Sequence, residues 1–298
     1  MKKTIAIIGT GIMGTGMGKV LLQKGYKVSC YNRTESNASD LIQAGATFAA
    51  TPAEAAKGAD VIIMMVWSRE ALEAVLTSEN GGLFLQAVKG QVYIDMSTQI
   101  PETGIWEFSM FMKQGADFLD APVHGTKGEA NNGGLWIMVG GDKTVYDRTK
   151  SIFDCIGETH HYMGEAGKGF AAKLCGNHLV STIVAALCES MVLAAKAGLD
   201  PKEVLKVWME SDFRSPVVEG VGNSIISRDF DVSFHLRTMV KDTELIRNFS
   251  ESIQVPVMLS NVVHEINKIG QNMGLGEENA SAVVKVFEQM ANFTISSK

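Results

Sequence analysis

Lys173 and Asn177 lie four residues apart in the segment Phe170-Ala171-Ala172-Lys173-Leu174-Cys175-Gly176-Asn177-His178. Residues at i and i+4 of a helix share a face, so an ammonium and a carboxamide are expected side by side. The positions around the lysine are apolar, and a lysine there is costly unless it snorkels to water or does chemistry. Loss of water lowers a lysine's pKa and suits it to moving a proton at neutral pH. Lys173 is therefore the candidate general acid–base group, and Asn177 the candidate for orienting the same substrate oxygen. Gly176, weak in a helix interior, would let a flat ring approach the backbone. The competing reading is a lysine in an interface salt bridge.

Two further segments carry polar groups where strands are expected to end. Asp95-Met96-Ser97-Thr98 offers two hydroxyls to a cofactor ring or a substrate oxygen, the alternative being a helix cap ahead of Pro101. Asp120-Ala121-Pro122-Val123-His124-Gly125-Thr126 runs from a strand into a glycine loop. Backbone N–H groups there, with His124, Gly125 and Thr126, are candidates to hold an anionic group of the substrate. A loop shaped by its turns alone is the alternative.

The elements that must position these groups begin at once. The apolar run Thr4-Ile5-Ala6-Ile7-Ile8 feeds into Gly9-Thr10-Gly11-Ile12-Met13-Gly14, inside which a helical pattern starts. In this context Gly9 permits a sharp turn, Gly11 a close pyrophosphate, and Gly14 tight helix–strand packing. The first amides of the helix, from Ile12 and Met13 onward, have no intrahelical acceptor and sit at the positive end of the dipole. A structural glycine turn is the alternative. The next strand ends at Asn32-Arg33-Thr34, where NAD-binding folds usually carry an acidic residue for the ribose 2′-hydroxyl. A guanidinium between two neutral hydrogen-bonding residues suits a 2′-phosphate, so NADP(H) is expected in preference to NAD(H). An ordinary solvated arginine is the alternative.

Strands are predicted near 4–8, 27–31, 60–65, 92–95, 117–120, 136–140 and 159–163, with helices between them. This rhythm predicts an α/β, mostly parallel, doubly wound sheet. Thr51-Pro52-Ala53-Glu54 reads as a capping box with proline at the first helical position. After residue 164 the pattern turns helical, with a long apolar helix at 168–197, a capped start at Asp200-Pro201-Lys202-Glu203, and helices near 238–254, 256–269 and 277–291. The expected organisation is a nucleotide-binding domain over 1–164 and an all-α substrate and dimerisation domain over 165–298. The long helix is expected in a core or between subunits, giving a homodimer or homotetramer.

Hydrophobic residues make up 46% and charged residues 20% of the 298-residue chain, the balance of a globular protein able to build two cores. A net charge of −6 without a Lys/Arg run argues against nucleic-acid binding. The stretch 179–199 contains Glu189 and Lys196 and is read as a buried helix, so no membrane association is expected. The short apolar N-terminal run ends in the glycine loop and is not read as a signal peptide. Cys30, Cys155, Cys175 and Cys188 show no metal or redox spacing, as in reduced cytoplasmic proteins, and no metal site is expected.

Taken in order, these residues resemble the β-hydroxyacid dehydrogenase family, which includes 3-hydroxyisobutyrate dehydrogenase and the glyoxylate/succinic semialdehyde reductases. The resemblance covers essentially the whole chain and rests on Gly9-x-Gly11-x-Met13-Gly14, Asp95-Met96-Ser97-Thr98, Asp120-Ala121-Pro122-Val123, Lys173-x-x-x-Asn177 and Lys241-Asp242. It implies a Rossmann domain followed by helices, and hydride transfer between a nicotinamide cofactor and a small oxo-acid or aldehyde acid. Lys173 is then the proton donor, Asn177 a substrate contact, and Val66, Thr98 and Lys241 cofactor contacts. Asn32-Arg33-Thr34 looks like the NADPH-using reductases of the family. The chain departs from the family pattern at His124-Gly125-Thr126, where Ser-Gly-Gly is common, and at Thr10 and Gly176, where leucine and asparagine are common. An imine reductase, whose members usually lack this lysine, and a non-catalytic NADP-binding module, which predicts its loss, are the alternatives.

Overall fold

Alternating aliphatic residues build the sheet. In β1 (Thr4–Ile8), Ile5 and Ile7 enter one hydrophobic cluster while Ala6 and Ile8 enter another, the period of two that a strand covered on both faces requires. The computed structural model describes residues 3–79 and 81–296. After β1 come α1 (Ile12–Gln23), β2 (Lys27–Tyr31), α2 (Ser39–Gln43), β3 (Thr47–Phe48), α3 (Pro52–Ala56) and β4 (Val61–Met64). The chain continues through α4 (Arg69–Thr77), α5 (Leu83–Gln86), β5 (Val92–Asp95), α6 (Pro101–Lys113) and β6 (Asp117–Asp120). Then follow β7 (Val123–His124), α7 (Lys127–Asn132), β8 (Leu135–Gly141), α8 (Lys143–Ile156) and β9 (Gly157–Gly164).

The sheet order is β3-β2-β1-β4-β5-β6-β8-β7, with β9 on β8. β1 to β6 pair in parallel, in the order of a doubly wound dinucleotide fold, whereas β8 runs antiparallel to β6 and β7. Register places Ile8, Met64, Asp95 and Asp120 in one row across β1, β4, β5 and β6. The loops that follow these strands therefore leave the same edge of the sheet. The two-residue strands β3 and β7 add to the seven expected ones; each is too short to show a period.

The expected capping box of α3 is half present. Thr51 Oγ1 accepts the Glu54 amide at 3.1 Å, but the Glu54 carboxylate accepts from Ala50 N, one residue before the cap. At the start of α7 the carboxylate of Glu129 does reach back to the amide of Thr126, the cap residue.

The strand pattern ends at Gly164. Contacts divide the chain into two compact units that meet in sequence at Lys173 and Leu174, within α9 (Lys168–Lys196). The second unit adds α10 (Pro201–Met209), α11 (Pro216–Ser227), α12 (Leu236–Ser252), α13 (Met258–Asn272) and α14 (Val284–Met290). Among its described residues there is no strand, only an isolated bridge between His235 and Asn279. Its core gathers Cys188, Met191, Ile225, Leu236 and Val284.

Two differences from the sequence reading have local causes. α11 lies in a β-branched, glycine-containing stretch of low helix propensity, yet Ser215 caps it, Pro216 opens it, and Val218, Gly222 and Ile225 are buried by it. The helix expected over 277–291 is broken into two 3₁₀ turns and α14. The Asn279 carboxamide oxygen there accepts from Ser233 N and Phe234 N, which ties the chain to the preceding loop. α9 is long and apolar enough to cross a membrane by length and composition alone. In the structure Cys188 and Met191 are buried, while Leu179, Ala186 and Leu193 are exposed at a spacing of seven. All four cysteines are free.

Candidate functional site

The glycine turn is dictated by contacts that a Cβ would destroy. Gly9 has φ +100°, and a Cβ on it would stand 2.2 Å from Met65 O. A Cβ on Gly14 would stand 2.0 Å from Gly9 O. At Gly11 the same Cβ would meet nothing within 4 Å, so the space beside the turn is open. Gly11 is the N-cap of α1 and no side chain caps the helix. Ile12 is exposed and Met13 packs on the core beneath. An open, uncapped helix N-terminus after a glycine turn fits a dinucleotide pyrophosphate.

At the end of β2 the Asn32 side chain bridges two loops. Its Oδ1 accepts Thr10 N at 3.2 Å, and its Nδ2 donates to Thr34 O at 2.8 Å. Arg33 and Thr34 are exposed beside it. The residue expected as a direct cofactor contact is thus also the brace between the glycine loop and the arginine loop.

Beyond β4, Val66 approaches the Gly9 turn, its Cγ1 standing 3.5 Å from the Cβ position of Gly9. Its amide donates to Ser97 Oγ at 2.9 Å, and Ser97 N donates to Asp95 Oδ1 at 2.8 Å. This corrects the reading of Asp95-Met96-Ser97-Thr98 as two outward hydroxyls. Ser97 is buried as a loop-to-loop tie, and only Thr98 is half-exposed. Neither caps α6, whose N-cap is Ile100.

Asp120, quoted above only as part of a motif, is a positioning group whose role the sequence did not show. Its Oδ1 accepts Gly167 N at 2.8 Å and its Oδ2 accepts Phe170 N at 2.9 Å, so a buried carboxylate caps the first turn of α9. Gly169 makes the approach possible, since a Cβ there would lie 2.6 Å from Asp120 O. Burial pushes the Asp120 carboxyl up to about 7, against the pull of those two amides. Glu107 on α6 is fully buried, and burial followed by the neighbouring Asp95 carboxylate holds it well above the usual carboxylate range. For Glu107 the signal was an acidic residue in an apolar run; Asp120 stood in a motif that gave no hint of its capping role.

One turn into α9, Lys173 is 8% exposed, and its Nζ lies 3.2 Å from Nδ1 of His124 at the end of β7. Burial, then the Lys173 charge, brings the His124 imidazole down to about 3, so it is neutral. Gly125 turns with φ +131°. Thr126 is drawn to Glu129, whose Oε2 accepts both its amide and its hydroxyl at 2.7 Å. The loop therefore joins His124 to Lys173 and turns the Thr126 hydroxyl onto its own helix.

In the second unit Asn177 is buried, and its Nδ2 donates to Asp242 Oδ2 at 2.8 Å. Lys241 Nζ stands 2.9 Å from Asp242 Oδ1. Asp242, itself buried on α12, thus gathers two of the sequence-predicted residues.

Two family models divide the chain: the NAD-binding domain of 6-phosphogluconate dehydrogenase matches residues 4–164, and the NAD-binding domain of NADP-dependent 3-hydroxyisobutyrate dehydrogenase matches 167–287. The chain is 31% identical to glyoxylate/succinic semialdehyde reductase 1 of Arabidopsis thaliana, over 94% of this chain and 97% of that protein. It is 31% identical to 2-(hydroxymethyl)glutarate dehydrogenase of Eubacterium barkeri, over 99% of each. Among solved structures, the Mycobacterium tuberculosis 3-hydroxyisobutyrate dehydrogenase with L-serine superposes with a TM-score of 0.86 at 26% identity, over 96% of this chain and 99% of that one.

Proposed function

The chain belongs to the β-hydroxyacid dehydrogenase family of NAD(P)-dependent oxidoreductases, and within it we propose that it transfers a hydride between NADP(H) and a small oxo-acid or aldehyde acid. The observation that carries this reading is a buried lysine, Lys173, at the head of a helix that a carboxylate from the strand-end row caps.

Gly9, Gly11, Ile12, Met13 and Gly14 would hold the pyrophosphate, and Asn32, Arg33 and Thr34 the adenosine end with its 2′-phosphate. Val66 and Thr98 stand on the loops beyond β4 and β5 that would face the nicotinamide, and Lys241 would be a further cofactor contact. When bound, the nicotinamide supplies or accepts the hydride at the substrate carbon. In the reductive direction Lys173 gives a proton to the carbonyl oxygen; in the oxidative direction, neutral, it takes the proton of the hydroxyl. Asn177, held by Asp242, orients the same oxygen, and the loop at Gly125 and Thr126 meets the distal end of the substrate. The two Arabidopsis and Eubacterium relatives are named for aldehyde-acid and hydroxy-acid substrates, which supports this class.

We place self-association on the exposed stripe Leu179, Ala186 and Leu193 of α9, a homodimer being the simplest assembly. The cytoplasm suits its four free thiols.

A panel of small aldehydes, oxo-acids and imines, offered with NADPH and with NADH and followed by nicotinamide absorbance, tests the function. Turnover of oxo-acids or aldehyde acids supports it. Turnover of imines alone points to the imine reductase alternative. Tight NADPH binding without any turnover would make the chain a binding module.

A further inference from the structure

We propose that His124 is the positioning residue of Lys173, fixing its ammonium for proton transfer rather than acting on the substrate. This rests on Lys173 being the proton donor, and it goes beyond the distal substrate contact that the loop's place suggests.

The geometry begins with a lysine stem of four rotatable carbons, whose amine wanders unless something holds it. β7 ends at His124, and its imidazole Nδ1 lies 3.2 Å from Lys173 Nζ. An ammonium has three hydrogens and no acceptor, so in this pair the nitrogen of the ring must accept. That fixes the tautomer: Nδ1 bare, the proton on Nε2. The ring cannot take up a second proton at working pH, because burial and the adjacent ammonium both oppose it. His124 is therefore a fixed neutral acceptor. One ammonium hydrogen is held by the imidazole, which fixes the direction of the remaining two. When Lys173 passes a proton to the substrate oxygen, His124 gains and loses none.

The same contact explains the departure at this loop. Thr126 turns its amide and hydroxyl onto Glu129, whose ionised form those bonds favour, so the loop around His124 carries a negative group and a neutral ring. The cation that faces His124 is Lys173 itself.

Two measurements on the intact chain decide the matter. Long-range ¹H–¹⁵N spectra of the wild type at pH 7, with no ligand added, should show His124 with Nε2 protonated and Nδ1 bare. A proton on Nδ1 would overturn the proposal whatever the substrate is. A double-mutant cycle in kcat then reads the coupling. His124→Ala should lower kcat about tenfold in the wild type and less than about twofold in a Lys173→Ala background. His124→Asn, whose Oδ1 replaces the imidazole Nδ1 as acceptor, should retain at least about a third of kcat. An equal tenfold loss in both backgrounds would mean that His124 acts on the substrate independently. A wild type inert toward every carbonyl would count against the proposed reaction and not against the His124–Lys173 bond, which the spectra test alone.

Discussion

The carboxylate of Asp120 accepts the amide hydrogen of Phe170 at 2.9 Å across 50 residues of sequence. The last residue of a strand thereby fixes the first turn of the helix that carries Lys173. Asp120→Ala would leave the amides of Gly167 and Phe170 buried without this acceptor. It should cost about 1–3 kcal/mol in denaturant unfolding and lower turnover as the head of the helix loosens. A variant within about 0.5 kcal/mol of wild type would show that the cap contributes little.

Stability should fall as pH rises from acid toward neutrality. Asp120 moves from an ordinary 3.8 to about 7 in the folded chain, and Glu107 lies well above its ordinary 4.5. Between the unfolded and folded values the native state keeps protons that the unfolded chain has released. The stabilisation is complete below pH 3.8 and is lost up to about 7 for Asp120, and beyond that for Glu107. Glu107→Gln removes one of the two contributions. Melting curves from pH 4 to 8 should show a shallower fall for the variant, and an unchanged slope would place Glu107 at its ordinary value.

Much of the fold was legible in the sequence, for reasons that particular residues make plain. At Gly9 and Gly14 a Cβ would stand about 2 Å from a backbone oxygen, so few other residues could take those two positions. Lys173 and Asn177 showed themselves as polar residues in an apolar helix. The pairings they make did not. His124 meets Lys173 across 49 residues and Asp242 meets Asn177 across 65, and no local period encodes such a pairing. Ser97 and Thr98 looked alike as neighbours, yet burial gives one to Val66 and leaves the other at the edge. α11 was hidden because packing overrides its poor propensity.

Lys173→Ala should lower turnover roughly 10²–10⁴-fold, the usual contribution of a placed proton-transfer group. Cofactor titration on the same preparation should change little, because the glycine loop and its brace lie elsewhere in the first unit. Turnover within a few-fold of wild type in a folded variant would move the proton donor to His124, His178 or water.

Arg33 is exposed at the end of β2, where a 2′-phosphate would lie. Wild-type kcat/KM should favour NADPH over NADH, and Arg33→Asp should weaken NADPH by roughly 1–3 kcal/mol while relieving the discrimination. Equal or better efficiency with NADH in the wild type would sink the assignment.

The brace at Asn32 constrains how the choice of dinucleotide can be altered at this loop. Its carboxamide must both accept from Thr10 and donate to Thr34. An aspartate, the residue that NAD use favours, keeps the acceptor but sets an anionic oxygen against the Thr34 carbonyl. A change of Asn32 to aspartate would therefore pass through a loosened loop before any gain in affinity for NAD(H). The easier route begins at Arg33, whose side chain is exposed, and reaches Asn32 only after the turn has changed.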